Sequence, residues 1–248
     1  MLRSLLSRLK TSSLRARILL VGAGGVFAAL GGIAVFFFSG EITSQSNNYI
    51  YRWLTDPASR PDLVTLRQRC GDAPFILPSD GLVGLLWADP ARPYNSFRRH
   101  TGLDIFGDGD PGTVPVYAVY AGYLSRPADW LSTVIIQHDD PLKPGRTIWS
   151  YYTHMASRDG SDSFVDGAFP PGTERVWVEQ GTLLGYQGEY NGPSFGIALH
   201  VHVSLVKSNG SGSFLNEAKL GNTLDPSPYF GMALNITDGA KHPVRCSQ

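Results

Sequence analysis

From Cys70 onward the chain is written in short apolar runs cut by glycine and proline, and this punctuation limits its possible folds more than any other feature. TVPVYAVYAGYLS, STVIIQH, TIWSYYTH, RVWVEQ and LHVHVSLV are rich in Val, Ile, Tyr and Trp. They read as strands of roughly five to eight residues separated by turns. No long 3.6-residue periodicity appears after residue 40, and no internal repeat is visible. The expectation is a mostly β domain built on an antiparallel sheet, with loops supplying the site. The longest insertion between strands, 156–174, follows closely on His154 and is expected to form a wall of the cleft.

The amino-terminal end is different in kind. Residues 18–40, ILLVGAGGVFAALGGIAVFFFSG, hold no charged side chain. At about 1.5 Å per residue, a helix of roughly 20 apolar residues crosses the ~30 Å hydrocarbon core. Arg3, Arg8, Lys10, Arg15 and Arg17 precede the run without an acidic residue among them, so this flank is expected to stay cytoplasmic. A cleaved signal peptide would have a shorter apolar region and an A-x-A exit, which FFFSG lacks. The expected organisation is a cytoplasmic tail over 1–17, a transmembrane signal-anchor helix over 18–40, a juxtamembrane stalk over 41–69 and an extracytoplasmic domain over 70–248. The stalk reading rests on polar SQSNN and on the two prolines of TDPASRPD. Tyr49, Tyr51, Trp53 and Leu54 in that segment fit either the membrane interface or the surface of the domain.

Composition narrows the partners. Basic and acidic residues both number 21, so the chain has no basic excess of the kind nucleic-acid binders carry. The two cysteines, Cys70 and Cys246, bracket the domain. In an oxidising compartment such a pair can staple its start to its end, a closure that stabilises by roughly 4–5 kcal/mol in the chain-entropy model. The other reading is two unrelated thiols. No CxxC exists, which excludes a cysteine-based zinc knuckle.

The six histidines carry the chemistry. In a strand, residues two apart share a face, so His200 and His202 of LHVHV project together, roughly 7 Å apart at their bases, while Leu199, Val201 and Val203 face the core. HTGLD adds His100 and Asp104, with Gly102 between them expected to supply backbone angles that let both ends turn inward. His154 closes SYYTH. A catalytic zinc takes three N/O ligands and keeps a fourth position open for water. His100, Asp104 and one histidine of the HxH pair make such a set. Each motif alone has a plain structural reading, an exposed loop histidine or a turn-capping aspartate; their joint occurrence does not.

In combination, HTGLD, YTH and HVH, in that order, resemble the lysostaphin-like (LytM-type) zinc endopeptidases. The likeness extends through PGTVPVYAVYAGYLS, VIIQH and VEQGTLLGYQG and covers roughly residues 74–206. It implies a lysostaphin-like, duplicated-hybrid-motif β fold, zinc held by His100, Asp104 and His202, and His154 and His200 as the catalytic pair. It also places Tyr94, six residues before His100, near the developing oxyanion. His138 matches a position without a ligand role and is expected to be structural; His242, in a proline-containing tail, is expected to be exposed. Among such relatives the substrate is the peptide part of peptidoglycan, cross-bridge or stem. A non-catalytic wall-binding or activator module of the same fold and a metallopeptidase acting on protein are the alternatives. YTHM and HVHV replace the family's usual Y-A-H-L and H-L-H-F, and GEYNGPSFGIALH is longer than the usual turn before the HxH, which leaves substrate choice open.

Overall fold

The computed structural model describes residues 44–193 and 196–247. The predicted anchor, 18–40, lies outside them. Among the described residues, no helix is long and apolar enough to cross a membrane.

The sheet is antiparallel throughout and centres on one long strand. Its order is β1 (Leu82–Leu85), β2 (Leu103–Phe106), β10 (Gly196–Lys207), β6 (Thr147–Thr153), β5 (Val134–Asp139), β4 (Gly122–Arg126) and β7 (Thr173–Val178). Two short strands, β9 (Gly188–Tyr190) and β11 (Thr223–Leu224), also pair with β10. A separate two-stranded ribbon joins β3 (Pro115–Tyr117) to β8 (Leu183–Tyr186). Every strand-like run of the sequence is a strand or a strand pair. The period of two then sorts the side chains. Leu103 and Ile105 of β2, Val201, Val203 and Leu205 of β10, Ile148 and Tyr152 of β6, and Val134 and Ile136 of β5 enter one core. Phe75, Leu77, Tyr229 and Phe230 join that core, the last two from a short helix at Ser227–Phe230. The alternate residues face the other side, where polar groups gather at one end and Ile135, Trp149 and Val206 pack at the other.

The expected stalk is largely folded onto the domain. Ser44 caps the first helix, α1 (Gln45–Thr55), accepting from Asn47 N–H at 3.1 Å, and Asp56-Pro57 ends it. One turn later comes α2 (Arg60–Leu63). Trp53 and Leu63 are buried with Leu82 and Phe106, and Tyr49 and Ile50 pack against them. Tyr51 and Leu54 face solvent, so the aromatic group divides between the domain and water. The prolines that argued against strands here are compatible with short helices, because each stands in a first turn where its missing N–H costs nothing.

Cys70 and Cys246 form a disulfide, with Cα atoms 5.2 Å apart. His242 corrects the expectation of an exposed tail: it is 6% exposed, donates from Nε2 to the Gly84 carbonyl at 2.7 Å and stacks on Tyr49. The tail is held down around it by the disulfide and by Thr65, whose hydroxyl donates to the Val244 carbonyl at 3.0 Å.

Candidate metal centre

Register alone assembles most of the site. His202 of β10 is the partner of Asp104 on β2 and of Thr153 on β6, so three neighbouring strands form one row. His154 follows Thr153 and leaves the strand with φ of 76°, a left-handed conformation that a residue with a Cβ rarely adopts. Such strain persists only where the surroundings impose it, and here it turns the imidazole towards the row. His100 enters from the loop before β2, where its backbone N–H donates to the Asp89 carbonyl and its own carbonyl accepts from Ala88 N–H.

Gly102 does not act as expected. It is not among the described glycines with positive φ. Space is what it provides: a Cβ there would lie 2.2 Å from the Val203 carbonyl oxygen. The HTGLD glycine lets the start of β2 press against β10, which sets His100 and Asp104 within reach of His202.

His100 Nε2 lies 3.0 Å from Asp104 Oδ1 and 3.0 Å from His202 Nδ1, and His202 Nδ1 lies 2.8 Å from the same carboxylate oxygen. All three residues are buried. The outward ring nitrogens are already committed: His100 Nδ1–H donates to the Leu86 carbonyl at 3.0 Å, and His202 Nε2–H donates to Glu217 Oε1 at 2.9 Å. The inward atoms of the neutral rings are therefore lone pairs, as are those of the carboxylate. Three electron-rich atoms at such distances repel unless a proton or a cation sits among them. Two imidazole nitrogens and one carboxylate oxygen match the donor set of a catalytic zinc site. The residues present fit the metal.

Electrostatics agree. Burial raises the Asp104 pKa, but the imidazoles of His100 and His200 and the hydrogen bonds from His100 and His202 hold it well below the usual carboxylate range. Burial lowers that of His202, yet its bonds to Asp104 and Glu217 push it up to about 10, so the cluster favours a positive charge.

Two further imidazoles border this cluster in a different state. His154 Nδ1–H donates to the Tyr190 carbonyl and His200 Nδ1–H to the Ala198 carbonyl, both at 2.7 Å, leaving Nε2 of each as an acceptor. Their rings lie 4.7 Å apart, and His200 Nε2 is 3.7 Å from Asp104 Oδ1. Burial first, then neighbouring His200 and His202, pushes His154 down to about 3; burial also lowers His200. Both are neutral near pH 7. Tyr94 lies beside His100, with ring centroids 5.0 Å apart, and its hydroxyl pKa is raised by burial and by the charge of Asp104.

These groups open on a cleft of about 600 Å³. Its walls are not the insertion 156–174, as expected from sequence; that segment folds away, and Ser161, Ser163 and Pro170 line a different depression. Ile50 of α1, Arg92 and Arg98 of the loop before His100, Tyr190 at the end of β9 and Ile197 at the start of β10 form the walls instead. Three contributors were missed in the sequence: Glu217, Ile50 and Phe106, whose ring stacks on His200 at 4.9 Å and is backed by Trp53. Only the capping serine of α1 offered a local signal.

His100, Asp104 and His202 could thus hold a metal ion, beside two neutral imidazoles at the floor of a cleft. In fold, the chain resembles lysostaphin and the M23 peptidases. The antimicrobial peptidase lysostaphin from Staphylococcus simulans shares 19% identity at a TM-score of 0.38, over 59% of this chain and 48% of its own. A putative peptidase M23 from Pseudomonas aeruginosa shares 20% at 0.37, over 74% and 61% respectively. The catalytic domain of a prophage-encoded M23 protein from Enterococcus faecalis shares 24% at 0.32, over 52% and 85%. The chain thus spans about half the length of the lysostaphin structure it matches. No family model and no curated protein matches it.

Proposed function

We propose that the chain is a zinc-dependent endopeptidase that hydrolyses peptide bonds of peptidoglycan, in a cross-bridge or a stem, on the outer side of the cytoplasmic membrane. The observation that carries the reading is the division of labour among the buried imidazoles. His100 and His202 aim lone pairs at a shared point with Asp104, while His154 and His200 stand beside it with free, neutral Nε2 atoms.

Zinc held by His100, Asp104 and His202 would polarise the scissile carbonyl and lower the pKa of water towards ~7. The remaining work falls to the chain. His154 or His200 accepts the water's proton at Nε2, becomes an imidazolium, and returns that proton to the amine of the departing peptide. The bonds from Nδ1 to Tyr190 and Ala198 hold both rings in the tautomer this needs. Tyr94 faces the cleft beside His100, where its un-ionised hydroxyl can donate to the oxyanion as the carbonyl becomes tetrahedral. The open cleft, lined by Tyr190, Ile197 and Ile50, suits a segment of a polymer.

Placement outside the membrane is supported by the uncharged run 18–40 with its basic flank and by the disulfide, which persists in oxidising compartments. The test is metal analysis of the full chain with parallel digestion of purified peptidoglycan and of an unfolded protein, each with and without a chelator. One equivalent of zinc and chelator-sensitive release of amines from the wall polymer are expected. Cleavage of protein alone would redirect the substrate; zinc without cleavage would make the chain a non-catalytic binding module.

A further inference from the structure

His202 differs from its neighbours in what holds its outer nitrogen. His100, His154 and His200 each donate to a backbone carbonyl, at Leu86, Tyr190 and Ala198. His202 donates to a carboxylate, Glu217 Oε1, at 2.9 Å. The same oxygen accepts from Thr101 Oγ1 at 2.6 Å and lies 3.3 Å from Ser204 Oγ. Thr101 is the second residue of HTGLD and Ser204 stands two beyond His202 on the same face of β10, so Glu217 is clamped from both segments that supply the ligands.

The clamp is built rather than incidental. After β10 the chain turns through 208–214 and folds back, with Leu215 N–H donating to the Lys207 carbonyl at 3.0 Å. Phe214 packs edge-on against Trp130 and Trp149, and Asn216 accepts from Ala218 N–H at 2.9 Å through its side chain. These contacts deliver one carboxylate, its side chain 19% exposed, to the back of one imidazole.

We infer that Glu217 is a positioning residue of the metal centre: it fixes His202 in the tautomer whose Nδ1 lone pair faces Asp104 and His100, and makes that nitrogen a stronger donor. A carboxylate behind an imidazole does this because it takes the Nε2 proton as a charge-assisted bond and returns electron density to the ring. A neutral carbonyl does it less. His202 is thereby the most strongly donating nitrogen of the set, while His154 and His200, backed by carbonyls, remain weak bases free to exchange protons. The inference rests on the metal-site reading above.

The experiment uses the full chain, purified in mild detergent, and its Glu217→Gln and Glu217→Ala variants. Zinc affinity is measured by competition with a chromophoric chelator, and the state of the His202 ring nitrogens by nitrogen-15 shifts in zinc-loaded, histidine-labelled protein. Gln keeps an acceptor of the same shape without the charge, so the tautomer is expected to persist while zinc affinity falls by about 10-fold. Ala removes the acceptor, so affinity is expected to fall by about 10- to 100-fold and the Nε2 signal to move to that of a ring without a charged acceptor. A merely structural residue would change melting without moving that nitrogen-15 signature; if Glu217→Ala does not fold, the isosteric Gln variant decides alone. Folded variants that bind zinc as tightly as the wild type overturn this assignment alone. A wild-type chain that takes up no zinc overturns the metal-site reading with it.

Discussion

One strand, β6, carries two histidine environments on its opposite faces, and they are solved in opposite ways. On the core side, His138 of β5 donates from Nδ1 to the Ala121 carbonyl at 2.8 Å and accepts at Nε2 from the Ser150 hydroxyl at 2.7 Å. The Tyr152 hydroxyl lies 2.9 Å from Ser150 Oγ and accepts from Val119 N–H at 3.0 Å. Each group has one proton to give and one acceptor to give it to, so the chain of bonds runs in a single direction and closes. On the cleft side, beside Tyr151 and Thr153, the rings are saturated only on their outer nitrogens and present lone pairs to a common point. Burial is similar in both; closure is not. A buried polar network that satisfies itself supports the fold. One whose acceptors converge on a common point suits a cation.

The sharpest way to break this contrast is to remove a converging group. His202→Ala or Asp104→Ala is expected to abolish zinc retention and reduce hydrolysis of the proposed substrate to the level of chelated wild type. Retained zinc at full stoichiometry in either variant would show that the cluster is another closed network. A smaller effect is expected from the bordering rings. His154→Ala and His200→Ala should keep zinc while losing about 10²- to 10⁴-fold in kcat, and the larger loss identifies the residue that takes the proton. Ser150→Ala tests the closed side: it leaves His138 Nε2 without its donor, at a cost of about 1–3 kcal/mol in stability. Activity per folded molecule should not change.

The two sides also differ in how far they could be read from sequence. Strand period put His200 and His202 on one face, but the ligand set and the part of His154 were legible only as what the family resemblance implies; the register of β2, β10 and β6 then brings these residues together. The helix α1 was not, since its contribution rests on Trp53 filling a space made by Leu63, Leu82 and Phe106, which are distant in sequence. Gly102 was found but for the wrong reason, because a close approach between strands leaves no local mark. Glu217 lies 15 residues past His202 in a Ser-, Gly- and Asn-rich turn. Only the packing of Phe214 and the pairing of Leu215 with Lys207 aim it, and neither has a period. The insertion 156–174 misled in the converse way: length and proximity to His154 pointed to the cleft, but backbone pairing of Ala156 with Ser163 and of Val165 with Gly185 draws it elsewhere.

The smallest expected effect separates the two sides by pH. Burial, the dominant cause, lowers the His138 pKa to about 4, against the bond to Ala121 and the charge of Asp139, which raise it. Protonation would also reverse the closed chain and leave the Tyr152 hydroxyl proton without an acceptor. The unfolded chain takes up this proton near pH 6.5, well before the native one does, so between those values the unfolded state binds more protons and stability falls as pH drops. The contribution is intact above pH 6.5 and amounts to a loss of roughly 1.4 kcal/mol by pH 5.5. Buried His242, also lowered, adds a loss of the same sign, as do His154 and His200 when no metal is bound. The share of His138 is therefore the difference in denaturant midpoints between wild type and His138→Gln across pH 7.5 to 5.5, measured with zinc saturating. Gln can accept from Ser150 and donate to Ala121 but does not titrate, so the variant should show the shallower acid slope. Identical slopes would mean that His138 is not held neutral, and that the core-side network is less closed than its distances make it.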